Sequence, residues 1–287
     1  MKLEDLGKIV TLEHFRDPPP VVAVIPLAGI IGRPGPIRRG LTLAGLAEVI
    51  ERAFKFRRLK AVALAVNSPG GSPVQSSLIA KRIRDLASEN DVPVYAFAED
   101  VAASGGYWLA LAADEIYADA SSVIGSIGVV SGSFGFTQAI KRLGIERRLH
   151  TAGDRKAMLD PFRPEKASDV RHLESLQGDI HESFKAMVLE RRGARLKARR
   201  KELFSGAFWT GRRALEMGLI DGLGDIRGVM RGKFGERVKL RRVTQAAPLW
   251  RRFGFSVAFG VRPAPADWAG ATIAAIEERL LWNRFGL

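Results

Sequence analysis

The sequence predicts an α/β fold built on a mainly parallel sheet. Three runs of β-branched and aliphatic residues, Val21–Ile31, Ala61–Val66 and Val92–Ala98, carry almost no polar interruption, the pattern of strands buried on both faces. Helical spacing separates them. Leu43, Leu46, Ala47, Ile50 and Phe54 recur along one side of Thr42–Arg57, and a second helix opens at Pro73. With 287 residues, 46% of them hydrophobic, the chain can bury a substantial core in such βαβ units.

Met1–Asp17 reads as a polar lead-in closed by Pro18-Pro19-Pro20, which cannot be helical. It mixes charges throughout and has no apolar signal-peptide core. After the first strand, Gly32–Gly40 is a glycine- and proline-rich loop without the G-K-[ST] ending of a phosphate cradle. The strand Ala61–Val66 ends in Asn67-Ser68-Pro69-Gly70-Gly71, and the helix from Pro73 runs to about Ala87. Val92–Ala98 leads into the small-residue turn Val101–Trp108 and an alanine-rich helix to Ala113. Short strands are expected at Glu115–Ala118, Ile127–Val130 and Ile145–His150, with a short helix over Phe136–Leu143. From Glu165 to about Arg200 the pattern is long, charged and helical. Ser205–Gly211 is a turn with two aromatics, Arg212–Gly218 a helix closed by glycine, and Leu219–Gly224 a tight apolar connection. A helix near Ile226–Gly232 and a strand at Val238–Val243 complete this region. Beyond Pro248, Trp250, Phe253, Phe255 and Phe259 stand among prolines and glycines. Asp267–Phe285 reads as a helix with Trp268, Ile273, Ile276, Leu280 and Leu281 toward one side. Three segments follow: a lead-in over 1–20, a main domain over 21–243 and an aromatic, amphipathic extension over 244–287.

Composition removes several kinds of chemistry. There is no cysteine, so disulfides and thiol catalysis are excluded. The four histidines, His14, His150, His172 and His181, have no metal-binding spacing. No apolar run reaches the 18 or so residues of a membrane-spanning helix. The formal charge is +14, concentrated in Arg191–Lys201, where seven of eleven residues are basic, and in Arg227–Arg242. A solvated helix face and attraction to anionic lipid headgroups both account for such runs. Nucleic acid does so less well, because no stacking aromatics are interleaved with the charge. The amphipathic C-terminal segment fits docking on the chain's own domain, on a partner subunit or on a membrane surface.

Ser104 is the candidate nucleophile. Ala102, Ala103, Gly105 and Gly106 flank it, and it lies between a strand and a helix, where unpaired N–H groups favour developing negative charge. Serine is also a preferred helix cap, and the turn alone does not separate the two roles. No G-x-S-x-G elbow exists, and His150 sits in a strand-like setting. Lys156 falls in the loop Thr151–Phe162, where a lone lysine is ordinarily solvated.

Ala-Ser-Gly-Gly-Tyr, preceded by Asn-Ser-Pro-Gly-Gly and followed by Gly-Ser-Ile-Gly-Val, resembles the bacterial signal peptide peptidase family, SppA and SohB. The resemblance spans roughly Val21–Gly224. It implies a Clp/crotonase-type fold and a serine peptidase with a Ser–Lys dyad and no cofactor. Ser104 would attack the scissile carbonyl. Lys156, 52 residues downstream and followed by Pro161, would be the base. Ser126 would orient the lysine. The amide of Gly70 or Gly71, with that of Ser104 or Gly105, would form the oxyanion hole. A free lysine has a pKa of about 10.4, and lowering it to about 7–8 costs roughly 3–5 kcal/mol, which calls for burial; Met158 and Leu159 are expected to supply it.

The resemblance further implies a homo-oligomer that walls off its active sites and acts on remnant signal peptides or other small apolar peptides. It places the chain in the cytoplasm, peripheral on the bacterial inner membrane. The family's membrane-anchoring N-terminal helix has no counterpart in Met1–Asp17, so the aromatic C-terminus is expected to serve as a surface anchor. Three other readings compete with this one. A Clp-type peptidase would need a histidine about two dozen residues after the serine, and Ala120–Gly144 has none. A crotonase-like enzyme would more often show an acidic residue in place of Ser104. An inactive membrane scaffold would have no need of Ser104, Ser126 and Lys156 together.

Overall fold

The computed structural model describes residues 18–32, 40–244, 276 and 279–286. Its centre is one sheet of β1 (Val21–Ala28), β2 (Leu59–Ser68), β3 (Val94–Ala103), β4 (Glu115–Ala118), β5 (Val123–Gly125), β6 (Phe208–Thr210), β7 (Gly222–Leu223) and β8 (Lys239–Arg242). The order is β6-β5-β3-β2-β1-β8, with β4 paired to β3 and β7 to β4. All pairs are parallel except β5–β6. The mostly parallel α/β fold expected from the sequence is therefore the one observed.

The helices are α1 (Leu43–Phe54), α2 (Pro73–Asn90), α3 (Gly105–Ala110), α4 (Thr137–Arg142), α5 (Ala167–Arg192), α6 (Arg200–Leu203), α7 (Gly211–Met217) and α8 (Ile226–Phe234). Thr42 caps α1 by accepting from Gly45 N–H, and Ser72 caps α2 by accepting from Gln75 N–H, with Pro73 in the first turn. Strand alternation sends Ala23, Ile25 and Leu27 of β1 to one face, where they pack with Val62, Leu64, Ile50, Ile79 and Ile83. Val22, Ala61, Ala63 and Phe97 point to the other face, covered by Met230 of α8.

α5 is tied down by two arginines, one buried and one half-buried. Arg192 is 2% exposed, donates to Gly218 C=O through Nε and Nη2, and pairs with Asp221 at 2.6 Å. Arg191 donates to Leu111 and Ala113 C=O and to Asp114, which Arg84 of α2 also holds at 2.7 Å. The start of the basic run Arg191–Lys201 is thus a structural clamp rather than a solvated face.

Tyr107 of α3 is buried, and its hydroxyl donates to Leu219 C=O at 2.7 Å. Burial pushes this phenol far above its ordinary range, so it stays a neutral donor. Tyr107→Phe should cost about 1–2 kcal/mol in urea unfolding, because it orphans a buried carbonyl. A change below a few tenths would contradict this.

Several expectations differ from what is observed. β3 continues to Ala103 instead of ending at Ala98. Opposite Val66 and Ser68 of β2 stand Ala98 and Ala102, so β3 carries two extra residues there, and Glu99 and Asp100 bulge outward, exposed. The bulge lets β3 pair first with β4 and then with β5 on the same side. The strand after Ser122 is Val123–Gly125, not Ile127–Val130, because Ser126 turns the chain with φ of 53°. Ile145–His150 is not a strand; nearly all of it is exposed, and it pairs with no strand among the described residues. Phe208–Thr210 is a strand, antiparallel to β5, not a turn. Trp250, Phe253, Phe255 and Phe259 lie outside the described residues, as does most of the expected C-terminal helix. Of that helix, Phe285 meets Phe208 edge-on at 5.0 Å. No helix among the described residues is long and apolar enough to cross a membrane.

Candidate active site

Ser104 stands where β3 ends and α3 begins, with φ of 52° and ψ of −124°. A non-glycine residue holds such a conformation only when its surroundings impose it. Here the impositions are visible. Ser104 N–H donates to Gly125 C=O at 2.8 Å, and Ser104 C=O accepts from Trp108 N–H at 3.0 Å. Its hydroxyl makes no capping bond. The cap role that competed with nucleophile in the sequence is therefore not the one the side chain plays.

Gly70 and Gly105 let two backbones meet at the serine. A Cβ on Gly70, whose φ is +109°, would stand 2.8 Å from Ser104 Cβ and 2.9 Å from Gly105 N. A Cβ on Gly105 would meet Ser76 Oγ at 2.5 Å and Ile31 Cδ1 at 3.1 Å. Of the four amides offered by the sequence for an oxyanion hole, two are already used. Ser104 N–H bonds Gly125 C=O, and Gly70 N–H donates to Ser68 Oγ at 3.2 Å. The amides of Gly71 and Gly105 have no acceptor among the described residues, and they remain as the donor pair.

Ser126 follows directly on Gly125, whose carbonyl receives the Ser104 amide, so the two serines sit one hydrogen bond apart along paired strand ends. Ser126 is 3% exposed and its N–H donates to Ala207 C=O at 2.7 Å. A Cβ on Gly125 would lie 2.8 Å from the Trp209 ring. Ser104, Ser126 and the glycine amides therefore converge at one end of the sheet.

Lys156 does not join them within one chain. It is exposed, and no hydrogen bond or ion pair connects it to Ser104 or Ser126. It rides on an arm over residues 129–163 that begins just after the Ser126 turn. Within that arm every hydrogen bond among the described residues is internal, save Leu159 N–H to Asp169 at 3.4 Å. Phe136 N–H to Pro161 C=O and the Phe136–Phe162 ring contact, 5.6 Å between centroids, close it on itself. Asp160 braces its base. Phe162 N–H and then Arg147 and Arg163 hold this carboxyl below its usual range. Met158 and Leu159, expected to bury Lys156, are only half-buried themselves. His150 is exposed as well.

Sequence reasoning missed three contributors. Asn67 donates from Nδ2 to Asp100 at 2.8 Å and accepts from Val101 N–H, pinning the β3 bulge to β2. Ser68 occupies the Gly70 amide. Both lay inside the quoted Asn-Ser-Pro-Gly-Gly motif, where their polar side chains at a buried strand end were the available signal. The third is His181, whose Nε2 lies 3.1 Å from the carbonyl of Ile127, the residue after Ser126. A groove of about 850 Å³ between Phe97, Val123, Ile226 and Leu240 lies on the α8 side of the sheet and does not include Ser104 or Ser126.

Residues 87–234, which hold Ser104, Ser126 and Lys156, match the family model described as Peptidase family S49. The chain belongs to peptidase family S49. S49 relatives in other organisms agree with this. Serine protease SPPA, chloroplastic, of Arabidopsis thaliana is 30% identical over 71% of this chain and 31% of its own length. Protease 4 of Haemophilus influenzae is 31% identical over 74% of this chain and 34% of its own. A Brucella abortus protein carrying the name Na(+)/H(+) antiporter NhaA is 48% identical over 99% of this chain. This S49 chain spans 39% of that protein's length, so the name describes a longer polypeptide than the part matched here. The chain is of the SppA and SohB type by family.

Proposed function

We propose that the chain is an endopeptidase that works through a Ser104–Lys156 dyad on remnant signal peptides or other small apolar peptides. One observation supports it above the rest: a strained serine whose hydroxyl makes no capping bond stands where the Gly70–Gly71 and Gly105 backbones meet, and the amides of Gly71 and Gly105 have no acceptor among the described residues. Ser104 Oγ attacks the scissile carbonyl carbon while its proton passes to the neutral Lys156 amine. The oxyanion forms against the Gly71 and Gly105 amides. Collapse breaks the C–N bond, the lysine proton goes to the leaving amine, and an acyl-Ser104 remains. Water then attacks by the same route and frees the acid and the serine. Ser126 orients the lysine. No cofactor enters this chemistry.

A lysine base has to be neutral, and burial is the ordinary means. The arm that carries Lys156 also exposes Val130, Phe134, Phe136, Leu143 and Ile145, with Phe134 and Leu143 each more than 70% exposed. Assembly of copies through the arm would cover these residues and the lysine together, so the active species is a homo-oligomer. We place it in the cytoplasm, peripheral on the inner membrane. Phe134→Asp with Leu143→Asp should convert the assembly to monomers in light scattering and lower turnover at least tenfold. Monomers that retain full turnover would remove assembly from the reading.

The dyad itself is tested with a fluorogenic apolar peptide and wild type, Ser104→Ala and Lys156→Ala, each checked for folding by circular dichroism. Loss of essentially all turnover in both variants is expected. Activity retained by Lys156→Ala would move the base elsewhere, and a wild type inert in every detergent and lipid would favour the scaffold.

A further inference from the structure

We propose that His181 is a positioning residue that holds Ser126 in register with Ser104, an inference that rests on the catalytic reading above. Its Nε2 lies 3.1 Å from Ile127 C=O, and since a carbonyl only accepts, Nε2 carries the proton. Ile127 directly follows Ser126 and is fully buried. The segment Gly125–Ile127 is thus gripped from two sides. On one, Ala207, just before β6, accepts from the Ser126 amide, and Trp209 of β6 lies against Gly125. On the other, α5 fastens the next carbonyl through His181.

The same helix also holds the nucleophile. Phe184, one turn after His181 and on the same side of α5, stacks on Trp108 at 4.6 Å between centroids. Trp108 N–H is the donor that holds Ser104 C=O. Two neighbouring turns of α5 therefore touch the two serine-bearing segments, and the arginine clamp fixes α5 against sliding. His181 is the only polar link among the described residues between α5 and the Ser126 turn. Ser126 sits at a positive φ, a conformation that relaxes when its supports are removed.

The test uses the full chain, the fluorogenic peptide and four variants: His181→Leu, His181→Gln, Ser126→Ala and the double variant His181→Leu/Ser126→Ala. Active sites are counted by burst titration. His181→Leu should lower kcat per titrated site about 10- to 100-fold with KM within about twofold, since small misplacements of a catalytic group act on the chemical step. His181→Gln, whose Nε2–H takes the place of the imidazole Nε2–H, should return kcat to within about threefold of wild type. In the Ser126→Ala background, losing His181 should cost less than about twofold, because both changes disable one element.

An unchanged kcat with lower thermal stability, or losses that multiply in the double variant, would make His181 a packing residue and overturn the inference. Full activity in Ser126→Ala would instead refute the role given to Ser126. Hydrogen exchange decides the positioning claim independently of turnover. Peptides covering residues 121–130 should exchange at least tenfold faster in His181→Leu and at the wild-type rate in His181→Gln, and equal rates would overturn the claim. If His181→Leu fails to fold, His181→Asn, which is too short to reach Ile127 C=O, replaces it.

Discussion

Gly70→Ala should lower kcat by a thousandfold or more while leaving the protein folded. The added methyl would stand 2.8 Å from Ser104 Cβ and 2.9 Å from the Gly105 amide, and neither neighbour is a flexible chain end. Something must move, and the candidates are Ser104 and the Gly105 amide, the proposed nucleophile and one of its two proposed donors. Displacing a nucleophile by about 1 Å costs around 10²-fold, and losing one oxyanion donor around 10²- to 10³-fold. The positive φ of Gly70 adds strain of about 1–3 kcal/mol, which a chain of this size tolerates. Gly29→Ala is the matched control. Its φ is +105°, yet nothing lies within 4 Å of the new methyl, so it carries the strain without the push. Turnover within tenfold of wild type in Gly70→Ala, or an equal loss in Gly29→Ala, would refute the assignment of this glycine to the site.

Arg192→Met is expected to give the largest loss of stability, about 3–5 kcal/mol. The guanidinium is almost wholly buried and makes three hydrogen bonds, two to Gly218 C=O and one to Asp221. Removing it strands a carboxylate that is itself 17% exposed, with only Arg195 at 3.3 Å and the Ile116 N–H left among the described residues to compensate. At about 2–4 °C per kcal/mol for a chain of this length, thermal unfolding should fall by roughly 10 °C. Arg192→Lys should rescue little, because an ammonium cannot serve Gly218 and Asp221 at once from one planar fork. The double change Arg192→Met/Asp221→Leu should be milder than Arg192→Met alone, since it removes the stranded charge. A loss below 1 kcal/mol in Arg192→Met would contradict this account.

What was legible in the sequence follows from where burial has a period. β1, β2 and the first part of β3 lie between covered faces, and their unbroken aliphatic runs declared them. α1 showed itself through Leu46, Ile50 and Phe54. The extension of β3 to Ala103 was hidden because Glu99 and Asp100 mimic a strand end, although they bulge out of a strand that resumes beyond them. β6 was hidden for a different reason: three residues are too few to show alternation, and its pairing with β5 joins segments more than eighty residues apart. Ile145–His150 has the composition of a strand but no partner in the arm. At the site, the glycines and serines were readable because close backbone approach restricts residue type. The exposure of Lys156 was not readable, because the apolar Met158 and Leu159 beside it suggest a buried loop although both are only half-buried. Which amides stay free was also beyond the sequence, since Ser68 and Gly125 claim theirs through contacts that no spacing rule encodes.

The bulge at Glu99–Asp100 acts as a spacer. In regular parallel pairing, Ser68 would stand opposite residue 100, and the serine-bearing turn would come two residues later, about 6–7 Å farther along the sheet than it does. The two looped-out residues take up that length, so the strand end that carries Ser104 stops level with Gly70 and Gly125. The length of β3, counted in residues, thereby sets the level at which Ser104 meets Gly70 and Gly125. Insertions or deletions at this one exposed corner would shift Ser104 against Gly70 and Gly125 while leaving every core side chain of β2 in place.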